Sequence, residues 1–288
     1  MPVPVKEAKL LEGKDLAAKI QEEISRFLSG LPARKWSPPR LAALEVGENA
    51  ASKWYVDQQE KLAKKLGISF ERSAANSQAD LELKIQKFNK DSNCHGLFVT
   101  LPLPAGFDAD KALLAMDFLK DVEGVHPTSL GLIVLRKSRL IPPTAFAALQ
   151  LIESTGVSLR GKKAAIIGQS AIVGRPLQLL LGERRVTTIV CNTGTTPADL
   201  QKAVSESDIV VACAGQPGII KGSWIKEGAI VIDVGTTEVN GKLVGDVEFE
   251  EAKKRAGFIT PVPGGVGPLT VTMLMKNLIT AYKWQKGL

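Results

Sequence analysis

The chain has 288 residues, enough for two modest domains or one large one. Hydrophobic residues make up 44% and charged residues 23%, the balance of a soluble globular protein, and no apolar run approaches a membrane span. The net charge is +7, but Lys and Arg are scattered in short groups such as Lys253-Lys254-Arg255 and aromatics are only 5%, which excludes a nucleic-acid tract or base-stacking platform and leaves an anionic small ligand as the fitting partner.

Periodicity predicts a helix over 15–28, with Leu16, Ile20, Ile24 and Leu28 on one face. A buried strand follows at 40–46, then a helix over 51–66 that Gly67 caps, a strand at 68–72, a helix over 81–89 and an apolar strand at 96–101. This βαβ rhythm implies a parallel sheet with helices on its faces. A helix after Pro142-Pro143 runs to about Ser154, and the domain boundary is placed near Leu140 to Thr144. The second half repeats the rhythm: strands at 163–167, 186–191, 209–214 and 229–234, and helices at 174–181, 197–205 and 248–256. A last helix, after Thr270, has no strand behind it and is free to pack back on the first domain.

Few residue types offer metal or redox chemistry. Cys94, Cys191 and Cys213 form no CxxC, and adjacent Cys94-His95 is poor geometry for two ligands of one metal, so no metal site is expected. The N-terminal stretch has no apolar leader core and carries acids early, so a reduced cytoplasmic setting is expected.

Two loops stand out. Gly168-Gln169-Ser170-Ala-Ile-Val173-Gly174-Arg175-Pro176 lies between a strand and a helix, where a dinucleotide loop belongs, although Ser170 and Val173 stand at two of the three glycine positions of GxGxxG. The helix N-terminus and Arg175 could still hold phosphate; a tight βα turn is the bland alternative. No acid follows the next strand before Asp199, and the strand ends in Cys191-Asn-Thr193-Gly-Thr-Thr196, which leans to NADP and leaves NAD possible. The second loop, in 258–277, is stiffened by Pro261, Pro263 and Pro268, while Gly264, Gly265 and Gly267 permit close approach of a ligand.

With KDVEGVHP at 120–127, these two segments make the chain resemble the methylenetetrahydrofolate dehydrogenase/cyclohydrolase family over essentially its whole length. The resemblance implies two α/β domains with a cleft between them, the C-terminal one a Rossmann-like doubly wound parallel sheet. It implies a folate or catalytic domain over 1–141, completed by the helix at 270–288, and an NADP-binding domain over 142–269. It also implies a folate-type substrate and a homodimer, while the composition argues for no nucleic acid or membrane partner. Tyr55, Glu123, Pro263, Gly264 and Gly265 would then contact substrate. Gly168, Gln169, Ser170, Val173, Arg175, Thr193 and Thr236 would contact the nucleotide.

Departures from the family pattern gather at the chemical positions. The family's Y-V-x-x-K reads Tyr55-Val-Asp-Gln-Gln59, so its water-activating Lys is a neutral amide here. Its V-Q-L-P-L-P reads Val99-Thr100-Leu-Pro-Leu-Pro104, and its K-D-V-D-G reads Lys120-Asp-Val-Glu123-Gly124. Hydride loss from a methylene carbon flanked by nitrogens needs positioning more than a base, whereas hydrolysis of the methenyl cation needs a group that titrates near neutral pH. With Tyr55, Gln59, Thr100 and Glu123 as the catalytic candidates, the sequence points to an NADP-dependent 5,10-methylenetetrahydrofolate dehydrogenase with cyclohydrolase activity weak or lost. The alternative is a catalytically silent paralogue that binds a different pterin-like ligand or a protein partner.

Overall fold

The computed structural model describes residues 7–288, so the reading of the first residues as lacking a leader core falls partly on 1–6, outside the described residues. The elements, in chain order, begin with β1 (Lys9–Leu10), α1 (Gly13–Ser29), β2 (Arg40–Val46), α2 (Ala50–Leu66), β3 (Ser69–Ala75), α3 (Gln78–Lys90) and β4 (Gly96–Val99). Helices α4 (Ala109–Ala115), α5 (Pro127–Val134) and α6 (Pro143–Ser154) lead to β5 (Lys163–Ile167), α7 (Gly174–Glu183), β6 (Thr187–Cys191), α8 (Pro197–Ser205) and β7 (Ile209–Ala212). The chain closes with β8 (Ile230–Asp233), β9 (Thr237–Val239), β10 (Lys242–Val244), α9 (Phe249–Ala252), β11 (Phe258–Ile259) and α10 (Val266–Gln285).

These elements form two compact units. One comprises Ala18–Pro143 and Val271–Leu288, the other Thr144–Thr270 with the described residues 7–17. The expected grouping of 1–141 differs at its start, because β1 pairs in parallel with β11 and so belongs with the later sheet.

In the 18–143 unit, β3, β2 and β4 form a parallel sheet in that order. Strand β2 is buried on both faces, Leu41 and Ala43 on one side and Ala42 and Leu44 on the other, as a parallel strand covered by helices must be. Leu81, Ile85 and Phe88, at helical spacing on α3, pack against Leu44, Leu97 and Val99. Ser77 starts α3 three residues before the apolar pattern does, its hydroxyl accepting the Asp80 N–H. Beside β4 runs the segment 120–122, with the Leu97 N–H donating to the Lys120 carbonyl at 2.7 Å. Lys120 is 5% exposed, and its ammonium donates to the carbonyls of Phe88, Asn89 and Asp91 at 2.7–2.8 Å, closing the C-terminal end of α3.

The other unit is a six-stranded sheet ordered β1-β11-β8-β7-β5-β6, all of it parallel, as the alternating rhythm implies. Ala165, Ile167, Val210, Ala212, Val231 and Ile259 form its buried face. Several elements differ from the sequence reading, and β1 and β11 are additions to it. The expected helix at 248–256 is only α9, four residues long. The β9–β10 hairpin is an addition. Helix α10 begins at Val266, so Gly267 and Pro268 lie in its first turn rather than in a loop, where a missing N–H is tolerated.

Lys120→Met leaves three carbonyls at the end of α3 without a charged donor, and should lower stability by about 2–4 kcal/mol. A urea melt should show the midpoint fall with the slope unchanged.

Candidate active site

Two clusters carry the functional residues, one in each unit. In the 18–143 unit, Asn49 caps α2 by accepting the Ser52 N–H at 3.0 Å, which fixes the helix start. Tyr55 and Gln59 then share one face, one turn apart. The Tyr55 hydroxyl donates to Glu123 Oε1 at 2.9 Å, and its ring meets Phe98 edge to face at 6.2 Å. Gln59 is 0% exposed, and neither its Nε2 nor its Oε1 has a hydrogen-bond partner. It approaches Tyr55 without reaching hydrogen-bond geometry. Thr100 is also buried, but its hydroxyl is committed to the sheet: it accepts the Val46 N–H at 3.2 Å and donates to the Leu44 carbonyl at 3.4 Å. Thr100 is therefore built into β2 rather than offered to a ligand.

Glu123 and Tyr55 are half-buried by area, and desolvation acts on their polar ends. Burial pushes the Glu123 carboxyl up to about 7, with the Tyr55 hydrogen bond pulling it down and the Asp121 carboxylate adding to the rise. Burial, and then the nearby Glu123 charge, holds the Tyr55 phenol well above its ordinary value. Asp121 is fully buried; its Oδ2 accepts the His126 N–H and the Ser129 hydroxyl, both at 2.8 Å, while Oδ1 has no partner. Burial raises its carboxyl above the usual range. Asn277 on α10, absent from the sequence reading, donates from Nδ2 to the carbonyls of Val122 at 2.8 Å and Ile141 at 2.7 Å.

In the 144–270 unit, a cavity of ≈ 890 Å³ opens at the carboxyl ends of β5, β6 and β7. The chain winds from β5 out to β6 and back across to β7, so this is the switch point where open parallel sheets bind nucleotides. Gly168, Gln169, Ser170 and Thr193 line it, joined by Asn192, Thr195, Gln216 and Lys221. Val173, Arg175 and Thr236 do not. Val173 is buried under the loop with its N–H on the Ser170 hydroxyl, and Arg175 and Thr236 are exposed.

The cavity fits a dinucleotide. Gly168 adopts φ +120°, and a Cβ there would stand 2.3 Å from the Cys213 carbonyl oxygen. The close turn expected from a third glycine is made one residue later, at Gly174, where a Cβ would lie 2.0 Å from the Gly168 oxygen. The loop is thus GxGxxG lengthened by one residue, which explains why Val173 reads as a mismatch in sequence. Among the lining residues there is no Asp or Glu to pair with a ribose hydroxyl. Asn192 Nδ2 donates to Gln169 Oε1 at 3.3 Å, tying the β5 and β6 loops.

Asp233 and Asp246 buttress the β7 side. Asp246 Oδ2 accepts the N–H groups of Ala214 and Gly215 at 2.7 and 2.9 Å, and Asp233 accepts those of Gly235, Asp246 and Val247. Burial pushes Asp233 up to about 6. Pro263, Gly264 and Gly265 belong to the same unit, where the Gly13 N–H donates to the Gly264 carbonyl at 3.0 Å and the Gly265 N–H to the Pro261 carbonyl at 2.8 Å. Among the described residues no cluster of His, Cys, Asp and Glu could hold a metal, and no helix is long and apolar enough to cross a membrane.

Residues 11–123 match the family model described as tetrahydrofolate dehydrogenase/cyclohydrolase, catalytic domain, and residues 142–286 match its NAD(P)-binding domain. The bifunctional protein FolD of Geotalea uraniireducens is 44% identical over 280 residues, 96% of this chain and 99% of that one. That of Moorella thermoacetica is 42% identical over 278 residues, 95% and 98% of the two chains. Among solved structures, the methylenetetrahydrofolate dehydrogenase-cyclohydrolase of Trypanosoma brucei, complexed with NADP cofactor and inhibitor, superposes with a TM-score of 0.94 at 38% identity, covering 98% of this chain and 100% of its own. A 5,10-methylenetetrahydrofolate dehydrogenase from the silkworm Bombyx mori gives 0.91 at 32% identity, covering 98% and 100%.

The Glu123 environment has a consequence for stability. Its folded value of about 7 stands above the ordinary 4.5, so the folded protein holds this proton where the unfolded chain has lost it. Stability contributed by protonated Glu123 is present below about 4.5 and is lost as pH rises to about 7. Glu123→Gln, which cannot ionise, should gain stability relative to the parent as pH rises from 5 to 8, measured by urea midpoints. A difference that stays flat across this range contradicts the assignment.

Proposed function

The chain belongs to the tetrahydrofolate dehydrogenase/cyclohydrolase family, and we propose that it is an NADP-dependent 5,10-methylenetetrahydrofolate dehydrogenase of one-carbon metabolism whose cyclohydrolase activity is weak or lost. The observation that carries the second half is Gln59. It stands where the resemblance places a Lys, it is fully buried, and its amide cannot accept or release a proton near neutral pH. Thr100, at the companion position, spends its hydroxyl on β2. Neither can deprotonate a water.

What remains suits the oxidative step. Glu123 can accept hydrogen bonds from the amino and ring N–H groups of a pterin edge, each charge-assisted bond contributing about 1.5–3 kcal/mol. Tyr55, anchored on Phe98 and aimed by Glu123, presents a ring face for stacking. These residues bind and orient, which is what loss of hydride from a nitrogen-flanked carbon requires. In the other unit, Gly168, Gln169 and Ser170 would hold the dinucleotide phosphates, and Asn192, Thr193 and Thr195 would meet the ribose. NADP supplies the hydride acceptor when bound. The cavity lacks a carboxylate that would repel a 2′-phosphate, and the T. brucei relative is described with NADP; both support NADP over NAD. A homodimer in the cytoplasm, free of nucleic acid and membrane, completes the proposal, and light scattering should return twice 30.8 kDa.

The purified protein should reduce NADP in the presence of 5,10-methylenetetrahydrofolate, and Ser170→Asp, which sets a charge against the phosphates, should raise the KM for NADP at least tenfold. Absence of nicotinamide reduction would favour a silent paralogue. Methenyltetrahydrofolate supplied alone should decay with the protein at nearly its spontaneous rate, and Gln59→Lys should accelerate that decay. Rapid hydrolysis by the parent protein would contradict the proposal and turn attention to Glu123 as the base.

A further inference from the structure

The segment from Lys120 to Gly124 is pinned at every residue except the one with functional chemistry. The Lys120 ammonium is held by three carbonyls at the end of α3. The Asp121 carboxylate is held by the His126 N–H and the Ser129 hydroxyl. The Val122 carbonyl is held by Asn277 Nδ2, and Gly124, at φ +62°, packs where a Cβ would stand 2.7 Å from the Ile141 carbonyl carbon. Only the Glu123 side chain points away from these anchors, to Tyr55.

Asn277 is the anchor that comes from farthest along the chain, 155 residues from Val122. It is 1% exposed, and its two amide protons are divided between the Val122 and Ile141 carbonyls. Both partners are acceptors only, so the amide orientation is fixed: Nδ2 faces them, and Oδ1 is left without a partner. A buried amide with one end unpartnered is costly. The side chain is thus suited to its donors, and what they join is the backbone immediately before Glu123 to the backbone against which Gly124 packs.

We propose that Asn277 is a positioning residue for the folate reaction: by bridging the Val122 and Ile141 carbonyls from α10, it fixes the backbone on both sides of Glu123 and so aims that carboxylate at the substrate and at Tyr55. This rests on the functional reading above. Asn277 is buried and does not line the nucleotide cavity. No other residue type of its size offers two protons to two carbonyls: Asp would set a carboxylate against both oxygens, and Ser could satisfy one of them.

The test uses Asn277→Asp and the milder Asn277→Ser in the full chain, with tetrahydrofolate and NADPH as separate probes. Both variants should bind tetrahydrofolate at least tenfold more weakly, with NADPH affinity within twofold of the parent. In Asn277→Ser the pH midpoint of tetrahydrofolate binding should also move to lower pH, because a loosened Glu123 reaches water; Asn277→Asp adds a carboxylate of its own, so its midpoint is not compared. The charged and titratable groups facing Glu123 are Tyr55 from α2 and Asp121 from its own segment, and neither is altered. A merely structural Asn277 would lower the melting temperature and leave that midpoint in place. Variants that bind tetrahydrofolate as the parent does, or lose both probes equally with the midpoint unmoved, overturn the inference. If both variants fail to fold, the Asn277 side-chain amide resonances of the parent decide it: they should shift on addition of tetrahydrofolate, and silence there overturns the proposal. A parent that does not bind tetrahydrofolate overturns the functional reading itself, and this inference with it.

Discussion

The buried ammonium of Lys120 is the constraint from which the folate-side geometry follows. A cation 5% exposed must have its protons satisfied, and the three carbonyls at the end of α3 do so. That choice docks the strand-like run 120–122 against β4 and leaves Glu123 at the end of a rail. Asp121 and Asn277 lock the rail in register. Lys120 and Asp121 serve the backbone around them. Their hydrogen bonds are all spent on the scaffold, except for the unpartnered Asp121 Oδ1.

The same economy holds around the nucleotide cavity, where backbone rather than side chains defines the shape. Gly168 and Gly174 bring two turns of chain into contact distance, and Asp246 holds the wall at Ala214 and Gly215 by accepting two successive N–H groups. The one charged residue lining the cavity is Lys221, and its ammonium is paired with Glu248 at 2.8 Å. Of the substitutions that distinguish this chain, Thr100 is taken up by the scaffold through β2, whereas Gln59 is not. Gln59 is the sharpest of them, since it trades a titratable group for a buried amide with no partner.

Most of the fold was legible in the sequence, because alternating apolar periods set strand against helix and two glycine-rich loops marked where they turn. Strands β5 to β8 and the place of the Gly168 loop at the end of β5 follow that reading, which carried no strand order. What escaped it was non-local. β1 is two residues long and shows no period, yet it pairs with β11 some 250 positions away. Val173 looked like a broken glycine motif because the close approach had moved to Gly174, which only the backbone path reveals. Tyr55 and Glu123 were each singled out, and the structure joins them by a hydrogen bond. Thr100 was singled out by its neighbours in the chain, and its hydroxyl turns out to serve β2. Asn277 carried no signal at all: a lone Asn in an apolar helix identifies itself only through the carbonyls it meets.

The central claim is that this site oxidises without hydrolysing, and a product balance during turnover tests it most directly. With 5,10-methylenetetrahydrofolate and NADP supplied together, methenyltetrahydrofolate should accumulate mole for mole with NADPH through the first minutes, beyond what spontaneous hydrolysis removes. NADPH formed with 10-formyltetrahydrofolate in its place, and no methenyl intermediate in solution, would contradict the account.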